Sequence, residues 1–144
     1  MKIREYESRD REALITLWRA CELTRPWNDP GRDIDRKLAD SPWGLLVFID
    51  DDEMVVGSVM VGYDGHRGWI NYLAAEPSRR REGIASLLMA RAEELLLARG
   101  CPKVNLQVRA GNDSAAQFYL QRGYLQDEVT SFGYRLIPDE ISRV

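Results

Sequence analysis

The sequence predicts a mixed α/β (α+β) domain, built on a largely antiparallel sheet that leads into a single βαβ unit. Valine-rich apolar runs of strand length follow one another around short turns between residues 44 and 75. A long helical pattern then connects the last of these runs to another strand, and a second helix follows. The strands before the long helix are joined by hairpins, and only one helical crossover follows them. This order excludes a doubly wound parallel sheet. The predicted order is β-α-α-β-β-β-α-β-α-β-β, with six or seven strands and about four helices.

The first 40 residues predict one short strand and two helices. Ser8 or Asp10 can accept hydrogen bonds from the N–H groups that begin the first helix. Asp29 can cap the second helix, because Pro30 after it suits the first helical position. The apolar residues of both helices recur at helical spacing: Leu14, Leu17, Trp18 and Cys21 in the first, Ile34 and Leu38 in the second.

The next part of the chain predicts three strands joined by two tight turns. The apolar run 44–49 has the length of a buried strand, and residues 54–63 continue as its hairpin partner. The three aspartates at 50–52 form the turn between them, and we interpret them as a solvent-exposed tip. A second turn at 64–65 is followed by the strand predicted at 69–75.

The C-terminal half predicts a strand between two helices and then a pair of short strands. Residues 83–99 have a helical pattern with an apolar face made of Ile84, Leu87, Leu88, Ala92 and Leu95. Residues 104–108 alternate as a buried strand, and residues 112–122 form a second amphipathic helix closed by a glycine. The two short strands are predicted around Val129 and Tyr134.

Length and composition narrow the function classes. A chain of 144 residues suits one domain, and we predict a single domain over residues 1–144. The net charge of −3 and the sequence pI of about 5.3 favour neither nucleic acid nor an anionic membrane as partner. The longest apolar stretch, 45–49, is far shorter than the ~20 residues of a membrane span. The first residues contain no apolar signal-peptide region, so we predict a cytoplasmic protein.

The two cysteines and one histidine limit metal and nucleophile chemistry. Cys21 and Cys101 lie far apart without CxxC spacing, so we interpret them as reduced thiols in or near the core. His66 is the only histidine, which excludes a zinc site with several histidines. We therefore predict no metal cofactor.

Three consecutive arginines stand out in this acidic chain. Only three of the 20 basic residues are lysines, and Arg79, Arg80 and Arg81 lie between a predicted strand and a predicted helix. The first N–H groups of a helix lack partners and lie at the positive end of its dipole, so they bind phosphate. Gly83 and Ala85 leave room for an anion near this backbone, and arginines add forked donors. The alternative is that all three arginines are solvated loop residues.

A second pattern, at residues 112–124, makes the chain resemble the GNAT family of N-acetyltransferases. In that family a strand precedes Pro-x-x-Arg-x-x-Gly-x-Gly/Ala at the start of a long helix, and the matching residues are Pro77, Arg80, Gly83 and Ala85. A later helix carries a second family motif, which is met by Asn112, Ala115, Phe118, Tyr119, Gly123 and Tyr124. The segments 25–30 and 63–68 are further similar to the small bacterial YpeA-type acetyltransferases.

The resemblance implies a GNAT fold over essentially the entire chain and an acetyl-CoA-dependent N-acetyltransferase. A primary amine of a small, unidentified acceptor would attack the thioester directly in a ternary complex. The resemblance implies that the pyrophosphate of acetyl-CoA is bound by Arg79, Arg80, Arg81, Gly83, Ile84 and Ala85. The pantetheine arm is expected to pair with the backbone near Leu73 and Ala75, and the N–H of Leu73 would also donate to the oxyanion.

The resemblance assigns Tyr119 as a cofactor contact and as the general acid that protonates the departing thiolate. The alternative is that Tyr119 only packs on its helix beside Phe118. Adjacent positions cannot face the core equally, so we expect one of these two side chains to point elsewhere. Asn112 is either a hydrogen-bond partner of CoA or the N-cap of its helix. No base is assigned, because Gln107 stands where N-terminal protein acetyltransferases carry Glu. Water could relay the proton, Asp64, His66 or Tyr72 could accept it, or the amine could arrive neutral.

The acceptor site is predicted between the loop joining the first two helices and the last strands. Trp27, Asn28 and Asp64 are the predicted acceptor-binding residues. Trp27 could instead cap the core, and we interpret Asp29 as a helix cap rather than a substrate contact. Two rival functions stay open: a protein N-terminal acetyltransferase, and an acyl-CoA sensor that binds without turnover. The family also allows a homodimer.

Overall fold

A five-stranded sheet with helices on both faces forms the centre of the computed structural model, which describes residues 1–139. The strands follow chain order in the sheet: β1 Lys2–Glu5, β2 Leu45–Ile49, β3 Val55–Tyr63, β4 Gly68–Ala75 and β5 Val104–Leu106. Strands β1 to β4 are antiparallel, whereas β5 runs parallel to β4. The helices are α1 Arg11–Ala20, α2 Pro30–Asp40, α3 Ile84–Ala98 and α4 Asp113–Gln121. The predicted mixed, mostly antiparallel sheet with a crossover through α3 is confirmed.

Each face of the sheet has its own apolar core. On one face, α3 packs through Ile84, Leu88, Met89, Ala92 and Leu96. On the other face, α1 and α2 pack through Leu14, Leu17, Trp18 and Ile34. The predicted place of Leu87 on the buried face of α3 is wrong, because its side chain is 52% exposed and Met89 and Leu96 fill that face instead.

Two aspartates precede the first two helices and act differently. Oδ1 of Asp29 accepts hydrogen bonds from the N–H groups of Gly31 (2.9 Å) and Arg32 (3.4 Å), as predicted for the cap of α2. Asp10 precedes α1, but its carboxylate caps no N–H group of that helix. It is buried and instead accepts two hydrogen bonds from Arg4, at 2.8 and 3.0 Å. Asp10 therefore connects β1 to the start of α1.

In the turn between β2 and β3, Asp51 and Asp52 are exposed, as predicted for a solvent-exposed tip, whereas Asp50 is not. The side chain of Asp50 is only 11% exposed. It accepts hydrogen bonds from the N–H groups of Met54 and Asp52, at 2.9 Å each, and from Nη1 of Arg79 at 2.7 Å. These hydrogen bonds hold the pKa of the Asp50 carboxyl below its usual range, and the bond from the Met54 N–H has the largest effect. The turn therefore attaches the loop that contains Arg79.

The chain after α4 forms no strand within residues 1–139, so the strands predicted around Val129 and Tyr134 are wrong. The sheet accordingly has five strands instead of six or seven. We call residues 125–139 the C-terminal strap; polar side chains four residues apart attach it to the body, namely Asp127, Ser131, Arg135 and Asp139. Its apolar side chains point to solvent, among them Leu125, Val129, Phe132, Tyr134 and Leu136. The polar side chains of the strap face the body and its apolar side chains face solvent. The apolar residues that predicted two strands therefore do not pack on the sheet.

Within residues 1–139 no helix is long and apolar enough to cross a bilayer. The same residues contain no group of three His, Cys, Asp or Glu side chains placed to hold a metal ion. Both cysteines are free thiols, with Cys21 half-buried and Cys101 buried.

Candidate functional site

A groove opens in the sheet where β4 and β5 separate. The two strands pair only between residues 68–70 and 104–106, after which β5 ends and β4 continues to Ala75. The groove has a volume of about 2790 Å³ and is lined by β4, the chain after β5, the start of α3 and α4. This volume exceeds the ~300–1,000 Å³ of ordinary small-molecule pockets. A long, extended ligand can therefore lie along the last residues of β4.

A β-bulge lies in β4 at the middle of the groove. Ser58 of β3 pairs with Ala74, and Met60 pairs with Asn71, so one residue of β3 faces both Tyr72 and Leu73. Tyr72 has a φ of 51°, in the left-handed region that bulky side chains rarely adopt. A bulge of this kind bends the strand and redirects its backbone groups.

The strained backbone at Tyr72 is held by two buried side chains. The Trp18 ring stacks on the Tyr72 ring with centroids 3.8 Å apart. Trp18 Nε1 donates to Ser58 Oγ at 2.9 Å, and Ser58 Oγ donates to the carbonyl oxygen of Tyr72 at 2.8 Å. Trp18 and Ser58 are fully buried. We call Trp18, Ser58 and Tyr72 the bulge clamp, because together they fix a conformation that Tyr72 alone disfavours.

Ser58→Ala is expected to lower the free energy of unfolding by about 2 kcal/mol, because it leaves a buried indole N–H and a buried carbonyl without partners. Urea denaturation of both proteins measures the difference. Ser78→Ala, in the exposed 3₁₀ turn that precedes α3, is the control and should be neutral. Equal stability of Ser58→Ala and the natural protein would show that the clamp does not support the bulge.

The start of α3 is open to the groove. A 3₁₀ turn, Pro77–Glu82, leads to Gly83, whose φ of 78° and ψ of 15° lie in the left-handed region. No side chain within residues 1–139 caps the first N–H groups of α3. The predicted residues Arg80, Arg81, Gly83 and Ala85 line the groove here, together with Ser86. The Ile84 side chain is buried in the core, so Ile84 offers only its backbone.

Arg79 does not line the groove. Its guanidinium donates to both carboxylate oxygens of Glu82, at 3.0 and 2.8 Å, and to Asp50 at 2.7 Å. The three arginines therefore differ: Arg79 holds the loop in shape, while Arg80 and Arg81 are exposed. The structure thus places Arg79 apart from Arg80 and Arg81, in contact with two carboxylates, and its part in pyrophosphate binding stays a prediction.

Tyr119 of α4 lines the groove and is half-buried. Its ring packs edge-on against Phe118 and Tyr124, with centroids 5.1 and 5.8 Å away. Burial raises the pKa of Tyr119 to about 12, so its hydroxyl keeps its proton at neutral pH. The expectation that Phe118 and Tyr119 cannot both face the core is wrong, because both pack on the α3 core and both line the groove.

Asn112 and Gln107 also line the groove, and each has a partner within the chain. Oδ1 of Asn112 accepts from the N–H of Ala115 at 3.2 Å, which supports its interpretation as the N-cap of α4. Gln107 Nε2 donates to Ser131 of the C-terminal strap at 2.6 Å. Leu73 and Ala75, the residues predicted to pair with the pantetheine arm, line the groove beside the bulge.

Asp64 lies away from the groove, in the turn between β3 and β4. Its Oδ1 accepts from the N–H groups of His66 (2.8 Å) and Arg67 (2.7 Å). These hydrogen bonds hold the pKa of Asp64 below its usual range, and the bond from the Arg67 N–H has the largest effect. The structure does not bring Asp64 or His66 together with the other predicted site residues, because that carboxylate shapes its own turn.

At another part of the groove, Asn28, Asp33 and Tyr72 form a hydrogen-bonded cluster. The Tyr72 hydroxyl donates to Asp33 Oδ2 at 2.6 Å, and Asn28 Nδ2 donates to the same oxygen. Asn28 Nδ2 also lies 3.3 Å from the Tyr72 hydroxyl. Burial, and then the Asp33 hydrogen bond, raises the pKa of Tyr72 above its ordinary value. Trp27 lines the same region and is 56% exposed, which favours a groove wall over a cap on the core.

Asp33 is a site residue that sequence reasoning missed. A weak signal is present, because Asp33 and Lys37 are charged residues that flank the buried Ile34 on α2. Lys37 is buried too, and its Nζ donates to Ser41 Oγ at 2.7 Å and to the carbonyl of Val61. The sequence pattern alone does not distinguish these two residues from the ordinary polar flanks of an amphipathic helix.

Comparison with known proteins adds a family match and several relatives. The acetyltransferase (GNAT) family model matches residues 11–124. Acetyltransferase SG1711 of Sodalis glossinidius is 49% identical over 141 residues, covering 97% of this chain and 99% of that protein. Acetyltransferase ECA0875 of Pectobacterium atrosepticum is 48% identical over 139 residues, covering 96% and 98%. The solved NatC complex bound to Gag peptide and CoA has a TM-score of 0.73 at 20% identity, covering 89% of this chain and 87% of that one, and shares the fold.

Proposed function

Because this chain belongs to the acetyltransferase (GNAT) family and is therefore an acyltransferase, we propose that it transfers the acetyl group of acetyl-CoA to a primary amine of a small acceptor. The groove is the observation that carries this proposal. It combines an uncapped helix start with two exposed arginines, an open strand edge, a protonated tyrosine and a polar cluster. Cytoplasmic location, a single domain over residues 1–144 and a homodimer stay predictions.

The start of α3 suits the pyrophosphate of acetyl-CoA. The N–H groups of residues 83–85 lie at the positive end of the helix dipole. A Cβ placed on Gly83 would meet no atom within 4 Å, so an anion has room at this backbone. Arg80 and Arg81 add positive charge at the same place. Arg79 is proposed to support this turn through its ion pairs with Glu82 and Asp50.

The last residues of β4 suit the pantetheine arm and the reacting carbonyl. Strand β5 ends opposite Ile70, so the arm can extend along Leu73 and Ala75 in place of a neighbouring strand. The acceptor nitrogen attacks the thioester carbon, and the N–H of Leu73 donates to the carbonyl oxygen as it becomes negative. A preorganised donor of this kind lowers the barrier by about 3 kcal/mol. The bulge clamp keeps that donor in position.

Tyr119 supplies the proton for the leaving group. As the carbon–sulfur bond breaks, the Tyr119 hydroxyl gives its proton to the CoA thiolate and is reprotonated from solvent. Its pKa of about 12 keeps the hydroxyl protonated between turnovers. A positioned acid contributes about 10²–10⁴-fold to such a reaction.

Calorimetry and turnover assays on this protein test the proposal. We expect acetyl-CoA and its desulfo analogue to bind by isothermal titration, and thiol release from acetyl-CoA to depend on added amine. Panels of small amines and of peptides with free N-termini distinguish a small-molecule enzyme from a protein N-terminal acetyltransferase. Binding without turnover on either panel would identify an acyl-CoA sensor instead, and the absence of binding would overturn the assignment of the groove.

A further inference from the structure

We propose that Tyr72 and Asp33 are the proton-accepting pair of this reaction, with Asn28 as the residue that positions them. The inference rests on the proposed function; it selects Tyr72 from the candidates that the sequence left open and adds Asp33, which the sequence did not indicate. As the acceptor nitrogen bonds to the acetyl carbon, its N–H bond breaks and its proton passes to Tyr72 Oη. At the same time the Tyr72 proton passes to Asp33 Oδ2. Asp33 becomes a neutral carboxylic acid and then releases the proton to water.

The position of Tyr72 in the bulge makes this path possible. Leu73, the proposed oxyanion donor, packs with the core on the α3 face of the sheet, whereas its neighbour Tyr72 packs with the core on the α1–α2 face. The groove lies where the sheet is open, so it contacts both residues. An acetyl carbonyl at Leu73 and an amine on the Tyr72 side would therefore meet at the bulge.

Elimination among the carboxylates of the groove also favours Asp33. Five acidic residues of the described chain line it: Glu22, Asp33, Asp40, Asp113 and Asp127. Asp127 is bound by Lys103 and Asn105, at 2.9 and 2.7 Å. Glu22 follows α1, Asp40 ends α2 and Asp113 begins α4, and all three are exposed. Asp33 is the one among them that is hydrogen-bonded to a residue of the bulge.

The pair is rigidly held, as proton transfer over a short distance requires. The Tyr72 ring is fixed by the bulge clamp, and the Tyr72 hydroxyl lies 2.6 Å from Asp33 Oδ2. Asn28 orients the same carboxylate and is itself held by Arg135 of the C-terminal strap, at 2.8 Å. The Asp33 side chain is 20% exposed, which leaves a route for the proton to solvent.

The charged groups around the pair come from two elements. Arg36 of α2 lies 3.3 Å from Asp33 Oδ1, and it also binds Asp139 of the C-terminal strap at 2.6 Å. Arg135 of the strap binds Asp139 at 2.9 Å. The elements packed on the Tyr72 ring, α1 and β3, contribute the uncharged Trp18 and Ser58. Arg36 is therefore the charged side chain that directly contacts the proposed proton acceptor, while Arg135 reaches it only through Asn28.

Single and double variants test the pair with amine-dependent acetyl-CoA cleavage, using benzylamine and 1,4-diaminobutane as probes. Asp33→Asn and Tyr72→Phe should each lower kcat about 100-fold at neutral pH without changing acetyl-CoA affinity by calorimetry. Because the two residues act on one proton, the double variant should be no slower than the slower single variant. The difference from the natural enzyme should shrink as the pH rises, since hydroxide replaces the missing base. Asp35→Asn on the same helix and Tyr6→Phe are the matched controls and should retain full activity.

The outcomes separate this inference from the proposed function. Natural enzyme that binds acetyl-CoA but acetylates neither probe, nor any amine of the panel, defeats the proposed transfer and the pair together. Active natural enzyme with unchanged kcat in either single variant overturns the pair alone. Losses that multiply in the double variant, or that appear as weaker acetyl-CoA binding, show a structural role and overturn it as well.

Discussion

Tyr119→Phe is expected to lower kcat by about 10²–10⁴-fold while acetyl-CoA binds with unchanged affinity. The substitution removes one hydroxyl and keeps the ring, which packs against Phe118 and Tyr124. The CoA thiolate must then leave without a proton from the protein, so the loss falls on the chemical step. Steady-state kinetics with saturating acetyl-CoA and titration calorimetry measure the two quantities separately.

The pH dependence gives Tyr119 a second signature. A donor acts in its protonated form, and the pKa of Tyr119 is about 12. Deprotonation of Tyr119 should therefore cause no decline in activity as the pH rises, until the pH approaches about 12. The matched control is Tyr124→Phe, because the Tyr124 hydroxyl donates to Glu93 at 2.6 Å and is not the proposed acid. A loss in Tyr124→Phe as large as that in Tyr119→Phe would contradict the assignment.

Gly83→Glu is expected to weaken acetyl-CoA binding by more than 100-fold. A carboxylate at this position would repel the pyrophosphate and occupy the space beside the first N–H groups of α3. The φ of 78° also disfavours any side chain there, which costs about 1–2 kcal/mol of stability. Titration calorimetry with acetyl-CoA measures binding, and urea denaturation measures the separate loss of stability.

Gly65→Glu is a closely matched control for that experiment. Gly65 also has a positive φ, of 88°, and a Cβ there would likewise meet no atom within 4 Å. It lies in the turn between β3 and β4, outside the groove. Both variants should lose similar stability, but only Gly83→Glu should lose affinity. Equal binding by the two variants would place the pyrophosphate elsewhere.

The part of the site that could be predicted from the sequence is the part built from contiguous residues. The strand, the arginine-rich turn and the start of α3 follow one another, so their spacing places Arg80, Gly83 and Ala85 at one helix end. The crossover through α3 follows from the same local signals. The position of Tyr119 on α4 follows from the order of the elements.

The part that could not be predicted depends on contacts between distant residues. Arg79 is separated from Arg80 by its pairing with Asp50, which lies 29 residues earlier in the chain. Tyr72 meets Asp33 across 39 residues, and only because a bulge shifts the register of β4. Strand and helix periodicity carry no information about either pairing. The prediction of strands in the C-terminal strap is wrong for a similar reason, since side chains distant in the sequence, such as Gln107 and Asn28, hold the strap's polar residues.

The pairing of Asp50 with Arg79 restricts how the chain can change in length. The tip of a β-hairpin is ordinarily a place where insertions and deletions are tolerated. Here the tip between β2 and β3 also supports the turn before α3, because Asp50 reaches Arg79 at 2.7 Å. One added residue ahead of Asp50 would move its carboxylate out of reach and loosen the arginine turn. This hairpin is therefore a poor site for grafting a tag or a foreign loop, whereas the exposed turn at Gly65 has no such contact with α3.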